Sequence, residues 1–192
     1  MKFNIGDTTD SAHCTVLKHE FLRCEDAFKD FAMYSKLMIM QQQIGKPSPD
    51  ETRYIAYRAY NAYSRFIHHL YEFMVGALIR ETGSTEQIRA EQAERYINGH
   101  AQRILTGRRN DILNGTAPAW ENHISAYPEQ VPESFARDFR NFRNKLSGHV
   151  KHERSSMNLS DFYATYHMYL YMLYWNCCNR GKTPGERVFQ AG

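Results

Sequence analysis

Apolar residues recur along the chain at spacings of three and four, and this pattern predicts helices from one end to the other. The first helix is expected to begin near Asp10 or Ser11 and to end at Gly45 and Pro47. Its single apolar stripe contains Cys14, Leu17, Phe21, Cys24, Phe28 and Phe31. The sequence has no run of strand-type alternation and no internal repeat, so it predicts an all-α protein.

A strong start signal precedes the second predicted helix. Ser48 can cap the helix, Pro49 suits its first position, and Glu51 can return a hydrogen bond to the cap. The apolar pattern continues to about Thr82, and Gly83 follows as a stop. The positions expected to face inward are Ala56, Tyr60, Tyr63, Phe66, Ile67, Leu70, Phe73, Met74, Ala77 and Leu78.

The third helical region is predicted over about residues 85–113. Ser84 and Gln87 have the spacing of a capping box at its start. Gly99 and Gly107 fall inside the region and favour a kink or a split, because glycine weakens a helix interior.

Three prolines make 116–132 a linking segment with one short helix at most. A fourth helix is expected from about Glu133 to Gly148, with a buried stripe of Phe135, Phe139, Phe142 and Leu146. The last helix, over about 160–178, is apolar nearly all round and therefore predicts burial on more than one side.

Short turns between long amphipathic helices predict an antiparallel bundle of four to five helices. We expect residues 1–180 to form one domain and residues 181–192 to form a flexible tail. A bundle of this size cannot cover every face of so apolar a last helix, so a homodimer is expected.

The charge and cysteine content narrow the possible partners. A net charge of +3 is weak, so nucleic acid would have to bind through a local basic patch. The four cysteines have no zinc-finger spacing. The first residues lack the pattern of a secretion signal, and no apolar run is long enough to span a membrane. We therefore expect a cytoplasmic protein without a membrane partner.

Histidine pairs raise the question of a metal. His149 and His152 have a spacing that can share an ion on a helix, but Gly148 and the polar residues after it predict a loop. His68 and His69 lie beside the apolar stripe of the second helix and are interpreted as packing or solvated histidines. No metal or other cofactor is therefore expected.

The stretch from Phe142 to His149 contains an arginine, a polar residue directly after it, and a histidine six positions beyond the arginine. These are Arg143, Asn144 and His149, placed just before the last long helix. Arg95 and His100 also have a permitted spacing, but they lack the polar residue and this position. The arrangement of Arg143 and His149 resembles the motif of the HEPN superfamily (higher eukaryotes and prokaryotes nucleotide-binding).

The resemblance implies a helical bundle of four or five helices that cleaves RNA without a metal, at a composite site shared by two subunits. His149 would move a proton, Arg143 would stabilise charge on the phosphate, and Asn144 would orient the arginine or bond the phosphate. Family members often act as toxins or antiviral effectors restrained by an antitoxin or another regulatory protein. Some carry a modifiable Tyr two residues beyond the histidine; here that position is Lys151, which puts this form of control in doubt.

Geometry and charge fit the motif. Residues six apart diverge by about 120° on an unbroken helix, and Gly148 can break the helix so that His149 turns back toward Arg143. The basic residues expected to contact RNA are Arg140, Lys145, Lys151, His152 and Arg154, with Arg137 close by. Two alternatives remain: an ordinary cationic helix end, and a non-catalytic RNA-binding or protein-interaction module.

Overall fold

The computed structural model describes residues 2–45, 48–121, 123–147 and 157–178. It contains five α-helices: α1 (Thr8–Ile44), α2 (Pro49–Thr82), α3 (Ala90–Leu113), α4 (Phe135–Ser147) and α5 (Leu159–Cys178). Two short 3-10 helices, Ala119–Glu121 and Ile124–Ala126, precede α4. No β-strand occurs among the described residues. The predicted all-α bundle is confirmed.

The described residues fall into two compact units. The first unit takes Met1–Ala93 and Arg137–Leu159, and therefore contains α1, α2 and most of α4. The second takes Glu94–Ala136 and Ser160–Gly192, and contains most of α3, the 3-10 helices and α5. That residues 1–180 form one domain stays a prediction, and the predicted tail lies outside the described residues.

Capping residues explain where α1 and α2 begin and end. Asp7 accepts a hydrogen bond from the Asp10 N–H at 2.8 Å, so α1 starts slightly earlier than predicted. Ser48 accepts from the Glu51 N–H at 3.2 Å, as predicted for α2. Gly83 ends α2 in the left-handed conformation, with a φ of 60° that favours glycine. The bounds predicted for α2 are confirmed.

The predicted start of α3 is wrong, because the chain enters this helix only at Ala90. Ser84 accepts from the Glu86 N–H at 3.3 Å and therefore makes a local turn with it. The possible split of this region does not occur, since α3 runs unbroken through Gly99 and Gly107. A glycine costs only about 1 kcal/mol in a helix. Packing offsets this cost at the fully buried positions Ile97, Ala101 and Leu105.

α1 and α2 form a long antiparallel hairpin held by aromatic rings. Three ring pairs link the helices, at centroid distances between 4.6 and 5.1 Å: Phe21 with Phe73, Phe28 with Phe66, and Phe31 with Tyr63. The predicted α1 stripe therefore does face α2. Such pairs stabilise an interface beyond the apolar area that they bury.

A charge pair closes the open end of this hairpin, and we call it the hairpin clasp. Arg80 donates from Nε to Asp10 Oδ1 at 2.8 Å and from Nη2 to Oδ2 at 3.2 Å. The Gly6 N–H donates to the same carboxylate at 2.8 Å. The bond from Arg80, followed by that from Gly6, lowers the pKa of Asp10 to about 2. Phe3 adds a backbone bond to the Gly83 carbonyl at 2.9 Å.

One predicted core position of α2 is wrong. Tyr60 is 41% exposed. The inward face of this part of α2 passes through Ile55, Ala59 and Ala62, all of which are buried. Tyr60 follows Ala59 and so points about 100° away from that face.

α5 is buried on one side and presents aromatic side chains on another. Phe162, Leu170 and Leu173 are among its buried residues, whereas Tyr163 and Tyr171 are exposed. Tyr163 stacks on His167 at 4.3 Å, and Tyr171 stacks on Trp175 at 5.9 Å. We call Tyr163, His167, Tyr171 and Trp175 the α5 aromatic row. No helix in the described part of the chain is long and apolar enough to cross a membrane.

Candidate functional site

Arg143 lies near the end of α4, and its guanidinium faces α2 within the first unit. Nη2 forms a close charge pair with Glu72 Oε1, without the direction of a regular hydrogen bond. Nη1 donates to Asn144 Oδ1 at 2.9 Å, and the guanidinium lies 5.5 Å from the centre of the Tyr71 ring. Three neighbours therefore fix the orientation of the guanidinium.

A contact between buried aromatic rings of α4 and α2 positions the Arg143 guanidinium. Phe139, one turn before Arg143 on α4, is fully buried and meets Tyr71 edge to face at 5.2 Å. Tyr71 is itself buried and presents its ring to the arginine. The Arg143 side chain is 27% exposed, which agrees with its predicted place at the margin of the apolar stripe of α4.

A second set of polar groups lies across α1 and α2. His69 Nδ1 donates to Glu20 Oε1 at 2.7 Å, and Arg23 Nη1 donates to Glu20 Oε2 at 3.1 Å. The ring of His68 lies 5.0 Å from that of His69. One nitrogen of each histidine and one oxygen of Glu20 lie within 4.8 Å of one another. We call Glu20, His68 and His69 the histidine cluster.

Electrostatics set the protonation of two cluster members. Burial alone would raise the pKa of Glu20, but the bond from His69 and the charges of His69 and Arg23 outweigh it and lower the pKa. Burial is the largest influence on His68 and lowers its pKa; the negative charge of Glu72 opposes this shift, and the positive charge of Arg143 adds to it. Glu20 is therefore ionised and His68 neutral at pH 7.

The described structure contains four of the residues predicted for the site. Arg143 and Asn144 contact each other, as an oriented arginine requires. Arg140 is half-buried and Lys145 is exposed on the same helix. The other predicted residues lie outside the described residues: His149, Lys151, His152 and Arg154, together with Gly148. The convergence of His149 on Arg143 stays a prediction.

Sequence reasoning missed Glu20 and Glu72, and it interpreted His68 and His69 as packing or solvated residues. One signal was available, since Glu20 falls inside the apolar stripe of α1, three residues after Leu17. A carboxylate in such a stripe needs a partner on the facing helix. The histidines beside the stripe of α2 are the matching groups.

Comparisons of the chain with protein-family models, with curated proteins and with solved structures find no match. The resemblance to the HEPN superfamily is therefore carried by the motif from Arg143 to His149, and it stays a prediction. The geometry around Arg143 is an independent observation, because it comes from the packing of α4 on α2.

Proposed function

We propose that the chain is a metal-independent endoribonuclease of the HEPN type. The observation that carries this proposal is the orientation of Arg143, which Glu72, Tyr71 and Asn144 hold at the end of α4. A guanidinium fixed before substrate arrives loses little conformational entropy on binding phosphate, so it stabilises a charged transition state well. An ordinary cationic helix end needs no such neighbours.

The proposed reaction is a transesterification followed by release of the new end. The ribose 2′-oxygen forms a bond to the adjacent phosphorus, and the bond from phosphorus to the 5′-oxygen breaks. The products are a 2′,3′-cyclic phosphate and a 5′-hydroxyl. His149 takes the proton from the 2′-OH or gives one to the leaving 5′-oxygen, since imidazole titrates near neutrality. The need for a 2′-OH restricts the enzyme to RNA.

Arg143 keeps donor capacity for this phosphate. Glu72 pairs with Nη2 and Asn144 accepts from one N–H of Nη1, while Nε is buried and has no hydrogen-bond partner among the described residues. The second N–H of Nη1 is therefore the donor that a phosphate oxygen would use while the pair with Glu72 persists. Asn144 accepts through its Oδ1, which leaves its NH₂ group to donate to a second phosphate oxygen.

Cleavage is expected to survive EDTA and to weaken steeply with salt, because RNA would be held by phosphate contacts. For about four contacts to single-stranded RNA, raising the salt about fourfold lowers affinity by roughly 50-fold. The assay incubates purified protein with mixed RNA in EDTA over a salt series. Cleavage that stops in EDTA and returns with magnesium or zinc would overturn the mechanism. A non-catalytic module, the alternative function, would show no cleavage at any salt concentration.

The working unit proposed is a homodimer in which two copies of the motif share one cleft. The α5 aromatic row supports this, since Tyr163 and Tyr171 are 40% and 37% exposed. Exposed aromatic side chains of this kind are enriched at protein interfaces. Two arginines and two histidines in one cleft would bind phosphate more strongly than one mildly basic subunit.

Tyr171→Glu is expected to split the dimer and to reduce cleavage with it, because the variant buries a charge in an apolar contact. Sedimentation at micromolar concentration measures the assembly, and cleavage over a dilution series measures its link to activity. Tyr57→Glu, at a 64% exposed tyrosine of α2, is the matched control. A monomer with undiminished specific activity on dilution would rule out the shared cleft.

By analogy with the toxins and antiviral effectors that the motif resembles, we propose that cleavage restricts growth and is restrained by a regulatory protein. Because Lys151 stands where some family members carry a modifiable Tyr, that protein would act by binding. Expression in cells would then inhibit growth, and the effect would depend on Arg143.

A further inference from the structure

We propose that the histidine cluster binds a divalent transition-metal ion such as zinc. The three ligand groups are Glu20 of α1 and His68 and His69 of α2. This inference goes beyond the proposed function and does not rest on it, because it comes from residues outside the Arg143 motif and concerns binding alone.

The geometry of the cluster is close to that of a three-residue metal site. Zinc bonds to nitrogen and carboxylate oxygen are about 2.0–2.2 Å long, so the ligand atoms of a tetrahedral site lie about 3.4 Å apart. In the structure the atoms lie within 4.8 Å of one another, and His69 Nδ1 is 2.7 Å from Glu20 Oε1. Small side-chain rotations open this last pair and bring His68 inward. The fourth position then remains for water.

The types of ligand favour zinc over the hard cations. Two imidazoles and one carboxylate are a known zinc set, whereas magnesium and calcium require oxygen ligands. The surrounding charge is balanced: Glu20 and Glu72 are negative, and Arg23 and Arg143 are positive. A divalent ion therefore enters a site without excess positive charge.

Neighbouring residues fix the orientation of the Glu20 carboxylate, as a metal ligand requires. Arg23 donates to Oε2 at 3.1 Å, which fixes the carboxylate and leaves Oε1 facing His69. Outer contacts of this type orient metal ligands in proteins. Phe21, the next residue, pairs with Phe73 of α2 at 5.1 Å and anchors the two helices at this level. The Glu20 and His69 side chains are only 16% and 19% exposed, so they are partly shielded from water.

Metal binding is tested on the full chain, stripped with a chelator and then dialysed. Calorimetric titration with zinc chloride is expected to give one ion per chain at this site. Cobalt chloride is expected to give the visible absorption of a tetrahedral ion. At a hundredfold excess over Kd, zinc is expected to raise the Tm by about 5–10 °C. Magnesium chloride is expected to leave the Tm unchanged.

Three variants identify the ligands. Glu20→Gln, His68→Gln and His69→Gln are each expected to weaken zinc binding by about 100-fold or more, because each loses one of three ligands. His19→Gln changes an exposed histidine beside Glu20 and is expected to bind zinc as the parent does. Circular dichroism confirms that each variant is folded before titration.

The outcomes distinguish the histidine cluster from a site that contains His149. Absence of zinc binding in the parent would overturn the proposal, as would unchanged affinity in those of the three variants that fold. Loss of binding in His149→Ala, with binding retained in His69→Gln, would place the ion at the motif and overturn it too. None of these measurements contains RNA, so a failure here leaves the proposed ribonuclease activity standing.

Discussion

Arg143→Ala and His149→Ala are each expected to lower RNA cleavage by about 10²- to 10⁴-fold. The first removes the oriented guanidinium that would stabilise charge on the phosphate, and the second removes the proposed acid or base. Both variants are expected to keep the helical circular dichroism signal, because neither residue belongs to the apolar stripe of α4 and water can enter the space that Arg143→Ala opens beside Glu72. Single-turnover cleavage of a labelled RNA measures the loss.

Two controls sharpen this experiment. Arg143→Lys keeps the charge but loses the planar fork, so it is expected to retain only a small part of the activity. Arg137→Ala removes an exposed arginine of the same helix, whose only described ion pair is a 3.8 Å contact with the adjacent Asp138, and is expected to stay within a few-fold of the parent. Parental activity in Arg143→Ala or His149→Ala would refute the assignment of the site.

Phe139→Ala is expected to lower the free energy of unfolding by about 3–5 kcal/mol. Phe139 is fully buried and packs edge to face on Tyr71, so its removal leaves a cavity beneath the ring that supports Arg143. We expect cleavage to fall as well, since the guanidinium loses part of its platform. Urea unfolding measures the stability, and cleavage is compared at a temperature where the variant is folded.

Phe139→Leu is the matched control, because leucine fills most of the same space and is expected to cost less than about 2 kcal/mol. A loss below about 1 kcal/mol in Phe139→Ala would contradict the packing described for α4. If Phe139→Ala kept the stability of the parent but lost cleavage, Phe139 would instead have a role in the reaction.

The sequence predicts an element well where local chemistry decides its bounds. Ser48 and Gly83 define α2 through their own hydrogen bonds and backbone angles, and both ends were predicted correctly. The predicted start of α3 is wrong, because the Ser84 hydroxyl accepts the Glu86 N–H in a local turn and does not cap a helix. The two patterns are alike in sequence, and the difference depends on how the following residues pack.

The sequence likewise predicts one part of the candidate site and not the other. Arg143 and Asn144 are neighbours in sequence, so a short motif identifies both. Glu20 and His69 are 49 residues apart, and their contact depends on the register between two long helices. The 3.6-residue period fixes which face of each helix turns inward, but it leaves this register open. The ring pairs that set it, such as Phe21 with Phe73, are visible only in the folded hairpin.

The hairpin clasp has a consequence for the acid tolerance of the site. The pKa of Asp10 is about 2, below its usual value of 3.8, so the clasp contributes its full stability above about pH 4 and loses it as the pH falls through about 2. Glu20 lies on the same helix ten residues further along, about 15 Å from the clasp. We therefore expect the end of the hairpin to stay closed in mild acid, and to fray toward Glu20 and His69 only as the pH approaches 2.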